Sequence, residues 1–222
     1  MMELQRQAGF KTGDQFTAVW RVLIILIATF FAGCDKDNKS ETDAPAPVKY
    51  QAPDAGYIKN PTFAVGADGK LIDWAMLQHS SNTSYALSSN AGVLGIERTG
   101  VEPWGMIRQL FRKDEVAPLL GKKLEFSADI ATEFTDEYGE PMQPSGLSVI
   151  IKGVRAGSNP MFGATQLLSE SVSIEPGHTG WKRYALVFDV PGDAKAVRIE
   201  LNIVMTEGGV LSVRGPSLVE VQ

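Results

Sequence analysis

Apolar and polar side chains trade places at every second residue along three stretches of this chain. Leu124, Phe126, Ala128 and Ile130 alternate with Glu125, Ser127 and Asp129. Tyr184, Leu186, Phe188 and Val190 alternate with Arg183, Ala185, Val187 and Asp189, and Val197, Ile199, Leu201 and Ile203 with Arg198, Glu200 and Asn202. A period of two marks a strand that buries one face. Further strands are expected at Val93–Arg98, Met106–Arg112, Gly146–Val154, and Leu211–Val213 with Ser217–Val221. Gly146–Val154 is apolar at positions of both parities, which predicts cover on both sides. Turn clusters separate the runs, among them Pro118 with Gly121, Pro176 to Gly180 and Gly208-Gly209. One short helical turn fits, at Asp114–Leu120. Many short strands without a long helical period predict an all-β fold over residues 57–222, an antiparallel β-sandwich of the jelly-roll kind.

Upstream the texture changes twice. Val22 to Ala32 reads VLIILIATFFA, apolar except at Thr29, and follows a polar segment carrying Arg6, Lys11 and Arg21. A spanning helix needs about 20 apolar residues. This shorter run, closed by Asp35, Lys36 and Asp37, suits the apolar region of an export signal. Phe31-Ala32-Gly33-Cys34 resembles a bacterial lipobox, with Phe31 where leucine is usual. The resemblance implies that residues 1–33 are a lipoprotein signal peptide and that Cys34 carries the lipid. The chain would then sit at a cell membrane, lipid-anchored and extracytoplasmic, in the periplasm or on the cell surface. Several acyl chains on one residue give lasting anchorage, at ~0.8 kcal/mol per buried CH₂. Residues 34–56 have few large apolar side chains and include Ala44-Pro45-Ala46-Pro47, so a disordered linker is expected there. Its end, from Tyr50, is expected to lie against the domain.

Charge and cysteine content narrow the partners. The formal net charge is −5, so no broad attraction to nucleic acid is expected. One cysteine and two histidines, His79 and His178, leave neither an internal disulfide nor a Cys/His zinc cluster. No nucleophile-elbow, zinc-protease or phosphate-loop motif is present. Glu125 and Asp129 share the i, i+4 spacing of a jelly-roll glycosidase pair, but Ser127 stands between them where a carboxylate is usual. No enzyme, metal site or cofactor is expected.

Four motifs, in order, resemble carbohydrate-binding modules of families four and nine, within the galactose-binding-like jelly rolls. They are Asn60-Pro61-Thr62-Phe63 as an opening strand, Trp104 with Gln109, Gly121-Lys122 running into Phe126-Ser127-Ala128, and Gly180-Trp181 with Tyr184, Phe188 and Pro191. The resemblance implies a non-catalytic glycan-binding module; an interaction or assembly module for an envelope protein is the alternative on the same fold. The family often holds a structural calcium near its first and last strands, with carboxylates of the last strand commonly contributing. Here that stretch reads Leu211-Ser212-Val213-Arg214, with no carboxylate, so the site is not carried over.

Sugars are held by flat aromatic faces and planar polar groups. Trp104, at a loop–strand junction, is the candidate platform. Gln109, which matches the family glutamine, and Asn202 are the candidate amides. Trp74 and Tyr85 are candidates in the variable region between the first strands. Trp181, just ahead of a buried strand, is expected in the core. Glu125, Asp129, Arg198, Glu200 and Asn202 are expected on the solvated face of one sheet.

Overall fold

A computed structural model describes residues 50–154, 164–192 and 195–222. The described residues form ten strands: β1 (Trp74–Gln78), β2 (Tyr85–Asn90), β3 (Val93–Arg98), β4 (Gly105–Arg112), β5 (Lys123–Thr135), β6 (Gly146–Val154), β7 (Thr165–Ser173), β8 (His178–Asp189), β9 (Lys195–Met205) and β10 (Gly208–Glu220). Between β4 and β5 lie a single helical turn, α1 (Lys113–Val116), and a 3₁₀ turn at Ala117–Leu119, where a helical turn is expected from sequence. The strands make two five-stranded sheets. The first runs β1-β4-β9-β6-β7 and the second β2-β3-β10-β5-β8, with antiparallel pairing between the strands of each. This is the expected antiparallel sandwich of the jelly-roll type.

The alternation decides which side of each sheet faces inward. From the first sheet, Ile107, Leu147, Val149, Ile151, Ile199, Leu201 and Ile203 are fully buried. From the second come Leu94, Ile96, Leu124, Phe126, Ile130, Leu211, Val213 and Leu218, in the same cluster. Each such side chain contributes ~1.5–3 kcal/mol on leaving water. The β6 run is buried on its inner side only. Ser148, Ile150 and Lys152 on the other side stay half-exposed, so the expected double cover is absent.

Asn60-Pro61-Thr62-Phe63 forms a turn rather than an opening strand. Asn60 sits at φ 49, a left-handed conformation that asparagine tolerates. Its side chain accepts from Ala64 N at 2.7 Å and donates to the Ala64 and Ile72 carbonyls. The turn drives Phe63 into the core against Trp74, ring centroids 5.4 Å apart. The motif is thus a packing device.

The ordered body also begins before Tyr57. Gly56 makes a parallel bridge with Leu218, Tyr57 N donates to Leu218 O at 2.9 Å, and Ser217 Oγ donates to Asp54 O at 2.5 Å. Residues 50–56 therefore belong to the domain and not to a disordered linker; from Tyr50 the chain lies on the sandwich as expected. Cys34, the export segment and the rest of the linker lie outside the described residues. Among the described residues no helix is long and apolar enough to cross a membrane.

Candidate functional site

The outer side of the first sheet gathers the polar side chains that could meet a ligand. On β4, Met106, Arg108, Leu110 and Arg112 point away from the core, opposite in parity to Ile107, Gln109 and Phe111. On β9 the outward set is Arg198, Glu200, Asn202 and Val204, and on β6 it is Ser148, Ile150 and Lys152. The register lines them up in rows across β4-β9-β6. Arg108, Asn202 and Ser148 form one row, Leu110, Glu200 and Ile150 the next, and Arg112, Arg198 and Lys152 the third.

β9 is the middle strand, and its outer side chains lie low. Asn202 is 1 % exposed and Glu200 3 %, although both point away from the core. Half-buried side chains of β4 and β6 flank them. Glu200 is the centre of an ion cluster, with Arg108 Nη1 at 2.7 Å from Oε2, and Arg198 Nε at 2.8 Å and Lys152 Nζ at 3.5 Å from Oε1. A carboxylate this buried requires such pairing. Asn202 Nδ2 donates to Ser148 Oγ at 3.2 Å. Among the described residues, Asn202 Oδ1, Glu200 Oε1 and Arg198 Nε have no hydrogen-bond partner of good geometry. Of these three atoms, Asn202 Oδ1 alone stands outside the ion cluster.

Trp104 borders this face. His79 N donates to Trp104 O at 3.3 Å, which carries the β1–β4 ladder one pair beyond Gln78 and Gly105. A Cβ on Gly105 would point inward, 2.6 Å from the Tyr85 ring, so its neighbour Trp104 turns to the outer side. Trp104 is half-buried, with the His79 ring edge-on at 6.2 Å. A buried carboxylate, Glu102, secures the adjoining loop. It accepts from Ser80 Oγ at 2.6 Å and Asn82 Nδ2 at 3.3 Å, and His79 Nδ1 lies 3.0 Å away. The Ser80 hydroxyl, with help from His79 and Asn82, holds this carboxyl below the usual range against the opposing effect of burial.

Three of the five candidate ligand residues are in the core. Gln109 is fully buried. Its Nε2 donates to Lys59 O at 2.6 Å and its Oε1 accepts from Lys59 N at 2.9 Å, so the amide is spent on pinning the segment before the Asn60 turn. Trp74 is 4 % exposed, with Nε1 donating to Asn60 O at 3.2 Å. Tyr85 is packed over Gly105, its hydroxyl donates to Glu102 O at 3.1 Å, and burial raises its pKa to about 12. None of the three presents a free face to a sugar. Asn202 and Trp104 remain, both on the outer side of the first sheet. Arg108, Lys152 and Ser148 join them, and only the strand register could have revealed that.

Trp181 departs from expectation in the other direction. It is 41 % exposed on the outer side of the second sheet. The Arg214 guanidinium lies between two rings, 3.7 Å from the Tyr50 centroid and 4.1 Å from that of Trp181. Asp129 pairs with Arg183 at 3.0 Å and lies 3.8 Å from Arg214. Glu125 and Asp129 therefore lie on the second sheet and Arg198, Glu200 and Asn202 on the first, so the five expected on one polar face divide between two. Among the described residues no three His, Cys, Asp or Glu side chains gather as metal ligands would.

No protein-family model matches the chain, and no curated protein does either. Solved structures are similar to it in fold. Tailspike protein 4 of bacteriophage CBA120, in its enzymatically active domain, is 14 % identical at a TM-score of 0.50, over 75 % of this chain and 22 % of that one. This chain thus matches about a fifth of the tailspike domain's length. A family 4 carbohydrate-binding module is 15 % identical at a TM-score of 0.44, covering 74 % of this chain and 99 % of that one. A family 16 module is 17 % identical at 0.44, covering 74 % and 100 %. Identities this low are a likeness of fold alone.

Proposed function

We propose that this chain is a non-catalytic glycan-binding module, held at a membrane by lipid on Cys34 and exposed outside the cytoplasm. The ligand lies on the outer side of the first sheet. The observation that most supports this is the recessed polar floor of Asn202, Ser148 and Glu200 with Trp104 at its margin. An amide and a hydroxyl there suit sugar hydroxyls, and an indole suits the apolar face of a pyranose. The ordered motifs of the sequence favour the same activity. Glycoside hydrolysis by the common route needs two carboxyl groups about the scissile bond. On the outer side of β4, β9 and β6, Glu200 is the one carboxylate among the described residues, and three cations already hold it.

A glycan array probed with the purified chain tests the activity, and Trp104→Ala tests the place. Binding that the variant weakens while its melting temperature holds is the expected result. An empty array, or a variant that binds as before, contradicts it. The second reading, an envelope protein as partner, rests on the free strand edges: among the described residues β7 pairs only with β6, and β8 only with β5. A bound protein that shields β7 or β8 amides from exchange, with no glycan bound, would favour that reading.

A further inference from the structure

The third row of this face is unusual in its charge. Arg112 stands directly opposite Arg198, and Arg198 directly opposite Lys152, so three cations cross three adjacent strands in line. Like charges placed opposite one another across a strand pair are destabilising. Arg108 adds a fourth cation two positions along β4 from Leu110's row. Against these stands one carboxylate, Glu200, which Arg108, Arg198 and Lys152 share. Glu115, bonded to Lys59 Nζ at 2.7 Å and to the Arg112 backbone amide at 2.9 Å, also feels the Arg112 charge at the end of the row. The face is thus locally cationic on a chain whose formal charge is −5.

Folding alone gives no reason for the row. A single cation would neutralise Glu200, and neutral side chains opposite Arg198 would avoid the repulsion. The cations are also reachable. The Arg198 side chain is 38 % exposed, Lys152 33 % and Arg108 23 %, while the carboxylate they share is 4 % exposed beneath them. Glu200 therefore holds the cations in place from below and leaves donor capacity directed outward. A guanidinium presents a planar fork that matches a carboxylate or a sulfate. Beside the row, Asn202 is 99 % buried, and among the described residues its Oδ1 has no partner. It is a neutral acceptor left without a partner next to the cations.

We propose that this face selects an acidic polysaccharide, whose carboxylate or sulfate groups meet Arg112, Arg198 and Lys152 and whose hydroxyls meet Asn202 and Ser148. This rests on the glycan-binding reading of the same face and names the class of glycan. A chain crossing the strands at right angles would meet the three cations in turn, one strand spacing apart.

The test titrates the purified full chain with polygalacturonate, alginate and dextran sulfate, each against an uncharged counterpart. The counterparts are the two carboxyl-reduced polymers and plain dextran. Duplex DNA serves as a polyanion without the sugar chemistry. At least one charged polymer is expected to bind ~tenfold or more tightly than its neutral form, which corresponds to ~1.4 kcal/mol. A carboxylated polymer or the sulfated one then identifies the acid. Arg198→Gln and Lys152→Gln are each expected to weaken that binding several-fold with an unchanged melting temperature, and added salt to weaken it further. If those variants unfold, the exposed Arg112→Gln gives the same reading. Equal affinity for charged and neutral polymers overturns charge selection and leaves glycan binding standing. Duplex DNA bound as tightly as any acidic glycan overturns it too, because only bare charge is then recognised. Binding to no polymer of either kind overturns both readings.

Discussion

Replacing Gln109 with alanine should cost stability and leave the ligand face intact. The side chain makes two hydrogen bonds, to Lys59 N and Lys59 O, from a fully buried position. Truncation removes both and leaves two backbone groups of Lys59 without partners, at ~1–3 kcal/mol for each buried group. Lys59 is itself half-exposed, so water reaches part of that segment and the lower half of the range applies. A total of ~2–4 kcal/mol results, which for a domain of this size lowers the melting temperature by roughly 5–15 °C. Gln109→Leu separates the two contributions. It refills most of the volume and restores neither hydrogen bond, so it should recover only a minor part of the loss. Scanning calorimetry reads the melting temperature, and titration at a temperature where both variants are folded reads glycan affinity, expected within about twofold of the parent. A melting temperature unchanged within about 1 °C, together with lost glycan binding, would show that Gln109 contacts ligand and that the inward assignment is wrong.

Glu102 should make stability depend on pH in a defined direction. Its carboxyl is depressed in the fold, so the native state binds this proton less readily than the unfolded chain. Its contribution is full above the ordinary glutamate value of about 4.3 and disappears as the pH falls through the depressed native value. Melts of the parent and of Glu102→Gln should therefore differ at pH 7 and draw together as the pH falls through the depressed native value; a constant gap would count against the Ser80–His79–Asn82 network. Gly105→Ala places a methyl carbon 2.6 Å from the Tyr85 ring and should destabilise the fold by ~1–3 kcal/mol, readable in urea unfolding. An unperturbed midpoint would mean that Tyr85 can move aside freely. Cys34→Ser should abolish incorporation of labelled palmitate and release the chain from the membrane fraction, and normal labelling of the serine variant would refute the anchor.

The central strands and one edge, β8, were legible in the sequence, and the other three edges were not. β3 and β6 match their expected ranges and β4, β5 and β9 extend theirs, while β8 and β10 begin earlier than expected and end one residue short, at Asp189 and Glu220. The three strands without a clear signal, β1, β2 and β7, are all edges of their sheets. An edge strand has one ladder partner and is weakly covered, so its apolar alternation is dilute. Gln-Leu-Leu-Ser-Glu-Ser in β7 shows no strict period of two, and a register shift between Ile151 and Lys152 of β6 lies opposite it. The interruption of β10 at Gly215-Pro216 was visible and corresponds to a register shift between Arg214 and Ser217.

The site was harder to read because side-chain direction depends on register as well as on residue type. Arg108 and Gln109 must face opposite ways, but nothing local says which way is in. The pairing of Gln109 with Trp74 and Leu201, both buried, settles it. Trp181 pairs neither with the core nor with a loop. It covers Arg214, which is distant in sequence, and only the β5–β8 and β5–β10 ladders bring the two together.

Where a glycan touches the domain decides whether the outer side of the first sheet is the ligand face. Backbone amide shifts of the isotope-labelled protein, followed during titration with the best glycan from the array, locate that contact. The largest changes are predicted on β4, β9 and β6, at Met106, Arg108, Ser148, Glu200 and Asn202, with the Trp104 indole moving alongside them. Changes gathered instead around Tyr50, Trp181 and Arg214 on the second sheet would contradict the account.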